Sequence, residues 1–394
     1  MLYLGGARVF DGESMLGLRS PVVLVDRTRV AALVERSQLP ADCQVIDFGD
    51  ATLLPGLIDT HSHLCFDASA APVESLQACS DLELAERIDR QSQRALAAGI
   101  TAIRDLGDRG FATVAAARSR SASARSRPSL VCAGPPITTV AGHCHFLGGA
   151  VADSDSLPQL VRRWASRGVD VLKVMVTGGT LTPGSSPLDL QFTERQLRML
   201  VQLAHVHGLP VTAHAHAAAG IKAAVQAGVD GLEHAKFWDQ GGLVPDWQVI
   251  DLIAERGIAV CPTMGALPGA PPPPPAVAAR TERARQLVGE LAARGVVLVA
   301  GSDAGISLAK PHDVLPHSIL EMAQCGMGNL AALRSATSIA AAVCGLPEQG
   351  RLRPGAEANV LVVDGDPLVN LSTLLRPRAV YRAGSPIRPV EVLV

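Results

Sequence analysis

The chain has 394 residues, with 35 Lys and Arg against 37 Asp and Glu and a formal net charge of -2, so it lacks the broad basic field that a nucleic-acid binder uses. Hydrophobic residues make up 48% of it and aromatics only 3%, which requires a sizeable core built from Ala, Val and Leu. No stretch approaches the ~18 apolar residues of a membrane span, and no basic segment followed by an apolar run marks an export signal at the start.

Residues 1 to about 55 read as short strands, at 2–8, 22–25, 30–34 and 44–47, broken by Gly, Asp and Pro. The apolar run Leu53-Leu54-Pro55-Gly56-Leu57-Ile58 then leads through Asp59 and Thr60 to His61 and His63. Residues two apart on a strand face the same side, so one strand end can aim both imidazoles at one metal ion. The competing reading is a hairpin end with two exposed histidines. A helix is expected over 82–98, stopped by Gly99 and followed by a strand over 100–105. A strand at 130–133 precedes the loop Gly142-His143-Cys144-His145.

The same rhythm continues. A helix over 157–167 stops at Gly168, and a strand over 172–176 carries Lys173. Thr193 opens a helix with an imperfect capping signature and ends near Gly208. The strand 211–214 ends in His214, helix 217–227 stops at Gly228, and Gly231-Leu232-Glu233 ends in His234. Helix 247–256 stops at Gly257. Pro271 to Pro275 is predicted to be an extended surface loop, read as a spacer in preference to a substrate lid. The apolar run 296–299 leads into Gly301-Ser302-Asp303-Ala304-Gly305. Strands over 359–363 and 379–384, with the turn Asp364-Gly365-Asp366-Pro367 between them, finish the chain.

Helix, glycine, short apolar strand is the pattern of a parallel α/β fold. About eight such units between 56 and 350 match the size of a (β/α)8 TIM barrel, whose active site lies at the strand C-terminal ends. His61, His63, Lys173, His214, His234 and Asp303 all fall at such ends or within such strands. The β segments at the two termini, 1–55 and 351–394, are expected to assemble one small composite β-sandwich. Lys173 has a plainer reading, an ammonium reaching the barrel mouth, and Asp303 could cap a helix. Eight cysteines are scattered without a CxxC pair, which fits free thiols in a reducing compartment and a cytoplasmic protein. Cys65 and Cys144, beside histidines, are taken as structural.

The chain resembles the amidohydrolase superfamily, in particular its imidazolonepropionase-like and Xaa-Pro-dipeptidase-like members. The resemblance rests on Leu54-Pro55-Gly56-Leu57-Ile58-Asp59-Thr60-His61-Ser62-His63, Lys173-Val174-Met175-Val176-Thr177-Gly178-Gly179, His214-Ala215-His216, Gly228 to His234, Gly301 to Gly305 and the tail Gly350 to Val360. It implies a distorted (β/α)8 barrel with a composite β-sandwich. It also implies two divalent metal ions, zinc in most members, bridged by a carboxylated lysine and a hydroxide. By position, His61, His63 and Asp303 would hold the first ion, His214 and His234 the second, with Lys173 as the bridge. Hydroxide attack on the amide carbonyl would use Asp303 as proton shuttle. His143 would meet the substrate carbonyl and His216 a substrate carboxylate; His312, which follows the last of these strands, is a candidate substrate contact by position alone.

The leading expectation is hydrolysis of the amide bond of a dipeptide or N-acyl amino acid. A cyclic amide or imidazolone hydrolase is the alternative; a deaminase and a non-catalytic metal-binding scaffold stand behind it. The expected partner is a small-molecule amide, with neither nucleic acid nor membrane, and the Ala-rich exterior permits a homo-oligomer. Ala217-Ala218-Ala219-Gly220 and the Ala/Pro-rich segment after Thr263 depart from the family pattern where substrate would sit. No arginine stands out as a carboxylate clamp; Arg104 and Lys236 are the cationic candidates.

Overall fold

The computed structural model describes residues 1–119, 127–273 and 275–387, so Pro274 of the proline run and the last seven residues of the expected terminal domain lie outside it. Parallel ladders join Leu57–Ser62 to Ile100–Asp105 and on to Ser129–Cys132. A second parallel set runs Leu172–Met175, Val211–Ala217, Gly231–Asp239 and Ala259–Cys261. Three narrow junctions close the ring. Ile137 exchanges backbone hydrogen bonds with Lys173 and Met175, both at 2.8 Å. Val260 pairs in parallel with Leu298, and Ser62 with Ala304. Eight positions thus close an α/β barrel, distorted where single bridges replace full ladders. The apolar run 296–299 is one of these places: it makes a bridge through Leu298, not the continuous strand its composition suggests.

The helices form where capping and periodicity specify them. Ser80 and Glu83 form a reciprocal capping box on Asp81–Ala97, which buries Leu84, Ile88, Ala95 and Leu96. The signature at Thr193 is fuller than it looks in sequence, because Gln196 supplies the return bond to the Thr193 amide at 2.9 Å. Gly168 and Gly228 end their helices with φ of 77° and 87°, a conformation that costs a residue with a Cβ about 1 kcal/mol or more. Pro275 does not extend the loop before it; it opens a short helix, Pro275–Ala278, as a ring locked near helical φ permits at a first turn.

Strands from both ends of the chain share one sheet. Its order is Ser385–Pro386, Ala379–Arg382, Val360–Asp364, Ala51–Pro55 and Arg8–Val9. Facing it is a second sheet of Arg29–Glu35, Pro21–Asp26, Leu2–Gly5 and Ile46–Asp47. Leu53, Val360 and Val362 join Leu4, Val23 and Val25 in the core between the sheets. Leu54, Leu361 and Val363 point the other way, into the barrel's core. The two-residue period of a strand therefore places one sheet between two cores. At about 1.5–3 kcal/mol per fully buried aliphatic side chain, this sheet fastens the terminal strands to the start of the first barrel strand. Among the described residues no helix is long and apolar enough to cross a membrane.

Candidate active site

At the C-terminal ends of the barrel strands lies a cavity of about 230 Å³ whose walls include His61, His63, His143, Lys173, His214, His216, His234 and Asp303. The first donor set is tight. His61 Nε2 and His63 Nε2 are 3.3 Å apart, and both approach Asp303 Oδ1, at 3.4 and 3.2 Å. The second set is His214, His216 and His234, with ring centroids 4.5–4.6 Å apart. In each set one ligand atom per residue lies within 4.8 Å of the others. Each set can hold a divalent ion, since neutral imidazoles and carboxylate suit such ions. His216 thus sits closer to the histidine pair than a purely substrate-facing residue, stacked between His234 and Trp238.

The surroundings fix which nitrogen is available. His61 Nδ1 lies 2.7 Å from Glu233 Oε2, and His63 Nδ1 lies 3.2 Å from the Gly107 carbonyl. Each Nδ1 donates to such an acceptor, which on the neutral His61 ring leaves the Nε2 lone pair facing the cavity; at His63 burial lowers the pKa, but the hydrogen bond from Nε2 to Asp303 outweighs it and raises it above the usual value. His214 is turned the other way, with Nε2 3.1 Å from the Gly178 carbonyl. Burial holds His61 and His143 at about 4 and His216 at about 3, so these rings are neutral near pH 7. Asp303 stays ionised: burial opposes it, but the hydrogen bond and charge of His63, with the charge of Lys310, hold it well below the usual carboxylate range.

Lys173 stands at the centre of this chemistry. Its side chain is 1% exposed, and Nζ is buried with no hydrogen-bond partner among the described residues. Burial pulls its pKa down to about 8 despite Glu233 and Asp303 nearby. An orphaned, readily neutralised amine facing the cavity with both donor sets fits a residue waiting for a bridging group. The plainer reading, an ammonium reaching water, does not describe a fully buried Nζ.

Two of these residues occupy unusual backbone. His234 has φ of 69° and Asp303 57°, left-handed conformations that cost a non-glycine residue on the order of 1–3 kcal/mol. The turn at His234 explains how consecutive residues serve one site. Glu233 points inward to His61, Arg104 and Thr212, while His234 swings toward the cavity and bonds Thr263 Oγ1 at 2.9 Å.

The Amidohydrolase family model matches residues 52–385. The chain belongs to the amidohydrolase family. It is an enzyme of that kind, a hydrolase acting on carbon–nitrogen bonds. This amidohydrolase is 27% identical over 370 residues to the ochratoxinase of Aspergillus niger, covering 83% of this chain and 73% of that one. It is 26% identical over 416 residues to the imidazolonepropionase of Streptomyces coelicolor, covering 95% and 91%. Its fold matches a crystal structure of a Xaa-Pro dipeptidase with bound methionine at a TM-score of 0.83, with 23% identity and 98% and 99% coverage. A prolidase complexed with N-methylphosphonate-L-proline matches at 0.81, with 25% identity and 98% and 99% coverage.

Not every expected residue lines the amidohydrolase cavity. His312 is buried behind it, with Nε2 3.1 Å from the His63 carbonyl, so it supports a candidate ligand and has no cavity wall to offer substrate. Arg104 is also behind the wall, bonded to Thr60 O at 2.7 Å and Glu233 at 3.0 Å. Lys236 does line the cavity, and so do Lys310 and Val277. Val277 shows that the segment after the prolines is more than a spacer. The sequence reading passed over Asp59, Glu233 and Lys310. Asp59 ties Ser302 and the His61 amide together; its signal was a carboxylate two residues before a ligand candidate on the same strand face.

His143 is seated by close approach. A Cβ on Gly179 would lie 2.4 Å from His143 Nε2. Gly179→Ala is therefore expected to push that ring aside and lower kcat/KM at least about tenfold, with thermal unfolding nearly unchanged; unaltered kinetics would show that the position of His143 is immaterial.

Proposed function

We propose that this amidohydrolase cleaves the amide bond of a small dipeptide or N-acyl amino acid at a centre of two divalent ions, zinc being the fitting metal, with Lys173 carboxylated as the bridging residue. The observation that carries this reading is the buried, partnerless Nζ of Lys173 beside two donor sets. His61, His63 and Asp303 would hold one ion and His214 and His234 the other. Bound there, the pair would polarise a carbonyl and lower the pKa of a water between them.

The protein's own groups supply the rest. Asp303, ionised and at the cavity wall, receives the proton of the attacking water and returns it to the leaving nitrogen. His143 orients the substrate carbonyl, and His216 contacts the acyl or amino acid portion. Phe66, Leu147, Leu181, Val277 and Ile306 give the cavity apolar walls, and its about 230 Å³ suits a substrate smaller than most drug-sized ligands. The prolidase among the similar structures, at 25% identity, supports an amide target. A cyclic amide is the second reading, favoured by the longer match to imidazolonepropionase. A cytoplasmic location belongs to the proposal, supported by eight cysteines that are all unpaired thiols.

Elemental analysis of protein purified without chelator, together with rates on a panel of dipeptides, N-acyl amino acids and small lactams, tests it. Close to two zinc ions per chain and hydrolysis of the linear amides are expected. Faster lactam opening would select the cyclic reading; one metal or none, with the whole panel inert, would overturn both.

A further inference from the structure

Two lysines enter the cavity without a carboxylate partner. Lys236 Nζ donates to the Pro262 carbonyl at 2.9 Å. Lys310 Nζ donates to the next carbonyl, Thr263, at 2.9 Å and to Ser302 O at 2.7 Å. Consecutive carbonyls therefore hold the two ammonium groups side by side, and Thr263 Oγ1 in turn meets His234 Nδ1 at 2.9 Å. This places the pair directly beside the second donor set. Among the described residues neither lysine forms an ion pair. The carboxylates near them are committed elsewhere: Asp303 to His61 and His63, Glu321 to Arg285 at 3.0 Å and the Gly265 amide at 2.8 Å, and Asp59, which also acts on Lys310, to Ser302 and the His61 amide.

Two like charges held together in a half-buried cavity repel, and carbonyl dipoles offset that only in part. Each ammonium has three donors, of which Lys236 uses one and Lys310 two. The missing element is an anion with several acceptor oxygens. We propose that Lys236 and Lys310 form a clamp for a carboxylate of the substrate, so that this amidohydrolase acts on amides that carry a free acid next to the scissile bond. The inference rests on the amide-hydrolase reading above and narrows it: dipeptides and N-acyl amino acids meet the requirement, and amides and lactams without a carboxyl group do not. Trp238 and Val277, which line the same cavity, supply apolar surface for the side chain next to that acid.

The test pairs N-acetyl-L-leucine with N-acetyl-L-leucinamide, which differ only in a carboxylate against a neutral carboxamide of nearly the same shape. Binding to the metal-loaded enzyme is measured by calorimetry, and kcat/KM wherever turnover occurs. The acid is expected to bind about tenfold to a hundredfold tighter than the amide, the range for one or two charge-assisted hydrogen bonds. Lys236→Met and Lys310→Met should each reduce that acid-to-amide ratio about tenfold, with metal content and melting temperature held. Lys236→Arg should restore most of it. Equal binding of acid and amide by the wild type, or a ratio unmoved in both methionine variants, would overturn the clamp. Failure of the broader reading has a different signature, an inert dipeptide and N-acyl panel, and the binding ratio is read independently of turnover.

Discussion

If Lys173 is the proposed bridge, Lys173→Met is expected to lower kcat/KM by on the order of 10³-fold or more, comparable to losing a principal electrostatic element of an active site, and to cut bound metal from the proposed two ions per chain toward one. Methionine nearly conserves the volume of the side chain, so the 1%-exposed site should neither collapse nor gain a cavity. A purely structural lysine would show the opposite pattern, intact metal content and near-normal rates. The pH dependence has a defined sign. With a pKa lowered to about 8 by burial, the amine is mostly protonated at pH 6.5 and mostly neutral at pH 9. Only the neutral amine can take up carbon dioxide, so metal-free protein supplied with bicarbonate and zinc should regain activity faster at pH 9 than at pH 6.5. Reactivation independent of pH and bicarbonate would remove carboxylation from the mechanism.

Arg104→Met is expected to destabilise the metal-free protein by about 3–5 kcal/mol, the usual cost of stripping one partner from a buried ion pair. Glu233 is 1% exposed and Arg104 5%, and they meet at 3.0 Å. Without the guanidinium, a carboxylate that burial alone would push toward neutrality is left with His61 and Thr212 as partners. Denaturant unfolding measures the loss. Adding Glu233→Gln should recover part of it, because the unpaired charge is gone. That double variant should still bind metal about 10–100-fold more weakly, since Glu233 no longer fixes the ring of His61. A single variant as stable as wild type would mean that Glu233 is already protonated in the folded protein.

The alternation of glycine-stopped helices and short apolar strands was enough to read the barrel, and strand-end histidines were enough to point to the cavity that they line. Spacing brought His61 and His63 together in sequence terms, and the structure does set their Nε2 atoms 3.3 Å apart, although the strand shifts register between Asp59 and Ser62 and ends before His63. Spacing served less well where the backbone departs further from regularity. Glu233 and His234 are neighbours, and strand logic sends neighbours to opposite faces; the left-handed turn at His234 is a tertiary effect with no local signature. Lys310 was hidden for a related reason. Its ammonium reaches the cavity through the carbonyls of Thr263 and Ser302, contacts set by how two loops fold over each other. His312 looked like a substrate contact because it follows Asp303 closely in sequence, yet the chain carries it behind His63. Arg104 ended a strand on the right face, but a buried glutamate claimed it.

The ring closes between distant parts of the chain: Ser302 donates its amide to Asp59 across 243 residues, and Asp303 donates its own to the His61 carbonyl at 2.7 Å. During synthesis the two histidines leave the ribosome long before their carboxylate partner exists. The nascent chain therefore offers imidazoles without a shaped ligand set for most of its time in translation, and closure waits for contacts of high sequence separation, the slow kind in folding. A site built from these residues is thus complete only once the barrel has closed, however early its histidines are made.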